Sequence, residues 1–199
     1  VCLATGAVHK ELGVKGEKEF TGRGVSYCAT CDGPFFRNKK IFVVGGGDSA
    51  CSEAIYLRTL SDDVTIIHRR DSFRAQKAVV DKMIASGVKV KYNTTVSEIA
   101  GGMKVEKLVL HDVISKSDEE VAADAVFIFA GMAPQSDLVD MLKKDEGGYI
   151  VTDEKMQTMI PGLLAAGDVR AKPFRQIVTA VSDGAIAANT AFEICTGVQ

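Results

Sequence analysis

An α/β fold of three layers is predicted, a parallel sheet with crossover helices plus an antiparallel β-meander, together with part of a second domain. The first sign is an alternation, between residues 40 and 92, of short apolar runs with stretches of helical spacing. That order, βαβαβ, builds doubly wound sheets with right-handed crossovers. The second sign is a change of pattern after residue 93, where strand-like runs are separated by turns alone. Such short connections leave no room for crossover helices and imply antiparallel pairing. The third is the run Ala125-Val126-Phe127-Ile128-Phe129-Ala130, whose near-continuous apolar character suits a strand buried on both faces.

In chain order, Val1-Cys2-Leu3-Ala4 reads as the end of a buried strand entering the Thr5-Gly6 turn, so a preceding segment is expected upstream of a first residue that is Val and not Met. Residues 40–47 form a strand that stops in glycines, and Ala50, Ala54, Ile55, Leu57 and Leu60 mark the helix behind it. Residues 64–67 supply a second strand, 75–85 a helix with Ala78, Val79, Met83 and Ile84 on its apolar side, and 88–92 a third strand. The meander takes 94–99, 104–112 and 119–129, the last stopping at Gly131. Beyond Pro134 a polar helical segment is expected. It is followed by Tyr149-Ile150-Val151, by an apolar run from Leu163 into Gly167-Asp168, and by a final helix from about Phe174 to Ile194.

With 24 basic and 26 acidic residues in 199, and a formal net charge of -2, no bulk field draws the chain to nucleic acid or to an anionic membrane. No run approaches the roughly 20 apolar residues of a membrane helix, and no charged start with an apolar core reads as a signal peptide. A soluble, cytoplasmic protein is expected.

Gly45-Gly46-Gly47-Asp48-Ser49-Ala50 fits G-x-G-x-x-A between a strand and a helix. Gly45 suits a tight turn, Gly47 lets backbone amides approach a pyrophosphate, and Ala50 lets the helix pack closely on the strand. The helix N-terminus offers unpaired N–H groups and partial positive charge to the phosphates. This Rossmann-like unit would bind a dinucleotide. Where such sites place an acidic residue for ribose hydroxyls, at the end of the second strand, stand His68-Arg69-Arg70 and then Arg74. Guanidinium groups suit an added 2′-phosphate, because their planar fork donates paired charge-assisted bonds, and the cofactor indicated is NADPH. A solvated basic surface is the competing reading.

Five cysteines occur, with one close pair, Cys28 and Cys31. Cys-x-x-Cys on a turn brings two sulfurs within disulfide range, and a nearby cation or helix start favours the thiolate needed for exchange. Half of a zinc site and two buried spectator thiols are the alternatives. The remaining cysteines are scattered, however, the histidines lie at 9, 68 and 111, and Thr30, Asp32 and Gly33 make the setting polar. No metal is expected. Asp32 could exchange a proton with a departing or incoming thiol, or serve only as a turn residue before Gly33-Pro34.

Together these features resemble the low-molecular-weight thioredoxin reductases. Cys28-Ala29-Thr30-Cys31-Asp32-Gly33 is similar to their redox motif, Gly45 to Ala50 to their pyridine-nucleotide turn, and His68, Arg69, Arg70 and Arg74 to their 2′-phosphate clamp. Ala4-Thr5-Gly6-Ala7, Gly167-Asp168-Val169 and Arg175-Gln176-Ile177 resemble segments that touch FAD, and Gly131 is expected among the cofactor-binding positions. The resemblance implies a flavoprotein in which electrons pass from NADPH through FAD to the Cys28–Cys31 disulfide and on to thioredoxin or a similar small redox protein. Cys31 would face the flavin, Cys28 would attack the partner, and Asp32 would be the acid/base. It also implies a homodimer at full length, and hinges near residues 11–13 and 131–134. The domains would be 1–11, an FAD-domain remnant; 12–130, the NADPH-binding domain with the CxxC; and 131–199, the carboxy-terminal part of the FAD domain. The family's amino-terminal FAD motif has no counterpart here. A reductase of another redox protein, of the alkyl hydroperoxide reductase type, and a non-catalytic NADPH-binding fragment stay open at this point.

Overall fold

The computed structural model describes residues 1–197. It divides into two compact units, one of Lys10–Gly131 and one of Val1–His9 with the chain from Met132 onward. The chain opens in the discontinuous unit with β1 (Cys2–Leu3) and β2 (Ala7–His9).

In the continuous unit, β3 (Val25–Ser26) leads into the single-turn α1 (Ala29–Asp32). Then come β4 (Ile41–Gly45), α2 (Asp48–Arg58), β5 (Val64–Ile67), α3 (Lys77–Ala85) and β6 (Lys89–Lys91), the expected βαβαβ order. The helix expected from residue 75 begins at Lys77. The amides of Arg74 and Ala75 are spent on the Gly46 carbonyl, and that of Gln76 on Asp48 Oδ1. The meander is β7 (Thr94–Gly101), β8 (Val105–Asp112) and β9 (Asp118–Ala122), paired antiparallel in that order.

Residues 119–129, read from sequence as one strand, are two. Asp124 breaks the run: its carboxylate accepts from the Lys40 amide at 3.0 Å while its own amide donates to the Lys40 carbonyl. The chain beyond becomes β10 (Ala125–Phe129), which enters the parallel sheet between β3 and β4, giving the order β3-β10-β4-β5-β6.

Alternation along the central strands builds the three layers. Ile41 and Val43 of β4, with Ala125 and Phe127 of β10, pack against Ala50, Ala54, Leu57 and Met83 of the helices. Phe42, Val126 and Ile128 point the other way, onto Val96, Ile99, Leu108 and Leu110 of the meander. A sheet covered on both faces needs apolar residues at every position of its inner strands, which accounts for the unbroken run in β10.

In the discontinuous unit, β2 pairs antiparallel with β11 (Met132–Pro134), and β1 pairs parallel with β12 (Leu164–Ala165). The polar helix expected after Pro134 is a single 3-10 turn, Asp137–Val139. The following backbone turns back instead: Val151 donates to the Lys143 carbonyl and Asp145 to that of Tyr149. The long α4 (Ile177–Thr196) starts later than expected, because Gln176 and Thr179 form a reciprocal capping box. Among the described residues no helix is long and apolar enough to cross a membrane.

Phe127 is fully buried and meets Phe36 edge to face at 5.9 Å. Phe127→Ala should lower unfolding free energy by about 3–5 kcal/mol, as cavity-forming truncations of core aromatics do, and urea denaturation followed by circular dichroism measures it.

Candidate functional site

Three parallel strands, β4, β5 and β10, end at one edge of the sheet, where the chain forms a cleft of about 280 Å³. Val44, Ile67, Val96 and Phe129 make its apolar floor, and Gly45, Gly46, His68, Arg69, Arg70 and Arg74 its rim. The crevice outside the carboxyl ends of parallel strands is where open α/β sheets bind ligands.

Each glycine of the turn has a separate reason. A Cβ on Gly45 would lie 2.6 Å from that of Ala50 and 2.9 Å from the Phe129 carbonyl oxygen, so close packing requires glycine here, not an unusual backbone angle. On Gly46 it would lie 2.1 Å from His68 Cε1. Gly47 has open space and is the N-cap of α2, with no side-chain cap; the first-turn amides of Asp48, Ser49 and Ala50 therefore lack intrahelical acceptors and suit an anion.

The four residues read as one basic clamp separate into two kinds. Arg69, Arg70 and Arg74 are exposed on the rim. His68 is buried, stacked on Phe73 with ring centroids 5.2 Å apart, and forms a wall behind Gly46. Burial lowers its pKa, opposed by hydrogen bonds to the backbone of Ser72 and Gly45 and assisted by the charges of Arg70 and Arg69. His68 is thus neutral at pH 7, and the positive charge belongs to the arginines.

Cys28 and Cys31 form a disulfide, their Cα atoms 5.3 Å apart. Cys28 is the N-cap of α1, and its Sγ accepts from the Cys31 amide at 3.2 Å. Cys31 is exposed. Asp32 Oδ2 accepts a 2.6 Å bond from Ser26 Oγ, which in turn accepts from the Cys28 amide at 3.1 Å. Gly33 holds the turn against α2, where a Cβ would meet Leu57 at 3.0 Å. Burial, with Asp48 nearby, raises the Cys51 thiol to about 11, so that cysteine stays protonated and inert.

Beneath this corner lies Glu17, 1% exposed, whose oxygens accept from the amides of Leu12 and Gly13 and from the Tyr27 hydroxyl. Burial and the bond to Glu17 raise Tyr27 to about 12. Gly131, in the left-handed region at φ 108°, accepts the Lys10 amide and closes the base of the unit.

In the discontinuous unit, Gly167 adopts φ 79° and donates its amide to Asp183 Oδ2. Asp183 also binds Arg170 at 3.0 Å and Lys172 at 3.1 Å, and Lys172 stands 3.4 Å from Asp168 Oδ1. That Asp168 oxygen is buried and completes no hydrogen bond. The Arg175 guanidinium lies 3.7 Å over the Tyr149 ring, its buried Nε likewise without a partner. Gln176 caps α4, and Ile177 is exposed. A buried carboxylate oxygen that completes no hydrogen bond and a buried N–H without an acceptor, in one loop, fit a ligand with hydroxyl donors and an acceptor edge, as a flavin's ribityl chain and ring present. Ser26, Glu17, Asp183, Lys172 and Tyr149 were not singled out in the sequence. Each lies outside a contiguous motif, and only an acidic residue in the apolar stretch of α4 signalled Asp183.

The family model for pyridine nucleotide-disulphide oxidoreductases matches residues 1–184. The thioredoxin reductase of Treponema pallidum (strain Nichols) is 55% identical over 192 residues, 96% of this chain and 62% of that protein. That of Listeria innocua is 50% identical over 194 residues, covering 96% and 61%. The crystal structure of thioredoxin reductase from Streptococcus pyogenes MGAS5005 superposes with a TM-score of 0.94 at 46% identity, over 99% of this chain and 65% of that one. The chain therefore spans less than two-thirds of the length of these relatives.

Asp183 is desolvated, yet Lys172, Arg170 and the Gly167 amide outweigh burial and hold its carboxyl below the usual carboxylate range. A depressed folded pKa contributes stability above the unfolded value, about 3.9, and that stability is lost as pH falls below it. Asp183→Asn should therefore be less stable at neutral pH but lose less on acidification below about pH 4; circular dichroism during acid titration reads both.

Proposed function

This chain belongs to the pyridine nucleotide-disulphide oxidoreductase family, and from that premise we propose that it is part of an NADPH-dependent thioredoxin-disulfide reductase. The observation that carries the proposal is the bonded Cys28–Cys31 pair at an accessible turn, with the Asp32 carboxylate next to it and a basic, glycine-rimmed cleft on the same sheet. The names of its relatives support thioredoxin as the partner. We take the protein to be cytoplasmic and homodimeric at full length.

The residues fall into three groups. Arg69, Arg70 and Arg74 would hold the 2′-phosphate, and the first-turn amides of α2 after Gly45-Gly46-Gly47, from Asp48 to Ala50, the pyrophosphate. Gly131, Gly167, Asp168, Arg175, Gln176 and Ile177 would contribute to holding FAD, in keeping with the unpaired Asp168 and Arg175 atoms. When bound, the two cofactors would supply two electrons to the disulfide. The domain assignments follow: NADPH for residues 12–130, and FAD-domain segments for 1–11 and 131–199.

Exchange with the partner uses this chain's own atoms. The Cys28 thiolate attacks one sulfur of the partner's disulfide, forming a mixed disulfide and releasing the other as a thiolate, which Asp32 in its acid form protonates. The ionised Asp32 then takes the Cys31 proton as the Cys31 sulfur displaces the second partner sulfur from Cys28, restoring the Cys28–Cys31 bond, and passes that proton to the departing partner thiolate. The partner gains two electrons and two protons.

After chemical reduction, the chain should convert oxidised thioredoxin to its dithiol in a single turnover, and Cys28→Ser should abolish this; undiminished turnover by Cys28→Ser would refute the assignment. Replacing Arg69, Arg70 and Arg74 with Gln should weaken NADPH at least about 100-fold, the loss expected from several charge-assisted bonds. NADH affinity should stay nearly unchanged; calorimetric titration compares the two, and equal losses would exclude a 2′-phosphate clamp.

A further inference from the structure

Ser26 is 4% exposed, and its hydroxyl stands at the junction of three groups. It donates to Asp32 Oδ2 at 2.6 Å, accepts the Cys28 amide at 3.1 Å, and has the Cys28 carbonyl oxygen 3.3 Å away as a second acceptor. A serine hydroxyl carries one proton and two lone pairs, so it can satisfy these groups in two ways. With Asp32 ionised, the Ser26 proton points to Oδ2 and one lone pair takes the Cys28 amide. With Asp32 protonated on Oδ2, the carboxyl O–H donates to Ser26 Oγ, the second lone pair is used, and the serine proton turns to the Cys28 carbonyl. The Cys28 amide stays bonded in both states, and no buried polar atom is orphaned in either.

We propose that Ser26 is the positioning residue of the redox site, a reorienting hydroxyl that holds the Asp32 carboxyl against the Cys28 backbone while Asp32 takes up and releases a proton. This rests on the dithiol reading above. Ser26 bonds to the Asp32 carboxyl and the Cys28 backbone, and it acts through Asp32. In ring closure, Cys28 bound to a leaving thiol is attacked by Cys31, the thiol departs with its electron pair, and the Cys31 proton passes to Asp32. Without Ser26 the carboxylate loses its donor, and its lifetime near the sulfurs shortens. Other ionisable groups of the neighbourhood are the two thiols, Tyr27 with Glu17, and Asp48, Cys51, Glu53, Tyr56 and Arg58 on α2, which packs against α1. Comparison with Asp32→Asn separates their titration from that of Asp32.

The test is reaction of the chemically reduced chain with 5,5′-dithiobis(2-nitrobenzoate) across pH, in a Cys2→Ser/Cys195→Ser background that removes the exposed thiols outside the pair. Closure of the pair releases a second thionitrobenzoate. Ser26→Ala should slow that release roughly tenfold at neutral pH, the size of one hydrogen bond to a charged group, and displace its pH midpoint. In an Asp32→Asn background the same substitution should add almost nothing, because coupled residues are not additive. Two results would overturn the proposal. One is a Ser26→Ala profile that overlays the parent's; the other is an equal slowing with and without Asp32, as a purely structural role gives. If the unmodified pair releases no second equivalent, the dithiol reading itself fails, which these outcomes distinguish.

Discussion

The close approach of β4 to α2 at Gly45 is the constraint on which the continuous unit depends. With only 2.6 Å between the Ala50 Cβ and where a Gly45 Cβ would sit, the helix starts directly over the strand end, and its first turn carries amides without intrahelical acceptors. The same contact seats β10 against β4, since the Phe129 carbonyl oxygen would meet that Cβ at 2.9 Å. β10 then pairs in parallel with β3, whose last residue is Ser26. All strands of the sheet run one way, so the glycine-rich turn, the arginine rim and the disulfide turn after β3 issue from one edge.

Charge is handled differently at each point of that edge. The arginines stay solvated, where they can meet a phosphate without a standing desolvation cost, while His68 lies buried and uncharged as a spacer that forces glycine at position 46. The buried Glu17 side chain is ringed by two amides and a phenol, which give its oxygens hydrogen bonds. Asp183 in the other unit is balanced by two cations, which fixes the loop carrying Gly167 and Asp168. In so well-paired a loop, the buried Arg175 Nε has no hydrogen-bond partner and Asp168 Oδ1 has only the 3.4 Å approach of Lys172.

Much of this was legible in the sequence where the chemistry is contiguous. Cys28 to Asp32 and Gly45 to Ala50 form their turns through local spacing, and Arg69, Arg70 and Arg74 could be located by counting from the glycines. The division of 119–129 was not legible, because both halves suit a strand and only the pairing of Asp124 with Lys40, 84 residues apart, breaks them. The missing helix after Pro134 has a partly similar cause: the Gln135 amide goes to the Gly6 carbonyl, 129 residues away, while the amides that follow close short turns, Val139 onto Ser136 and Asp145 onto Tyr149.

Residue spacing alone determined that the chain holds a dithiol turn, a glycine-rich strand-to-helix turn and a basic segment, since each depends on neighbours a few residues away. It also determined the βαβαβ order, which follows from period and run length. Only the tertiary structure decided that His68 is a neutral wall and not part of the cationic clamp, and that Ser26 joins Asp32 to Cys28. Burial and hydrogen-bond geometry arise when distant segments meet, and identical residue types in solvent would carry neither property.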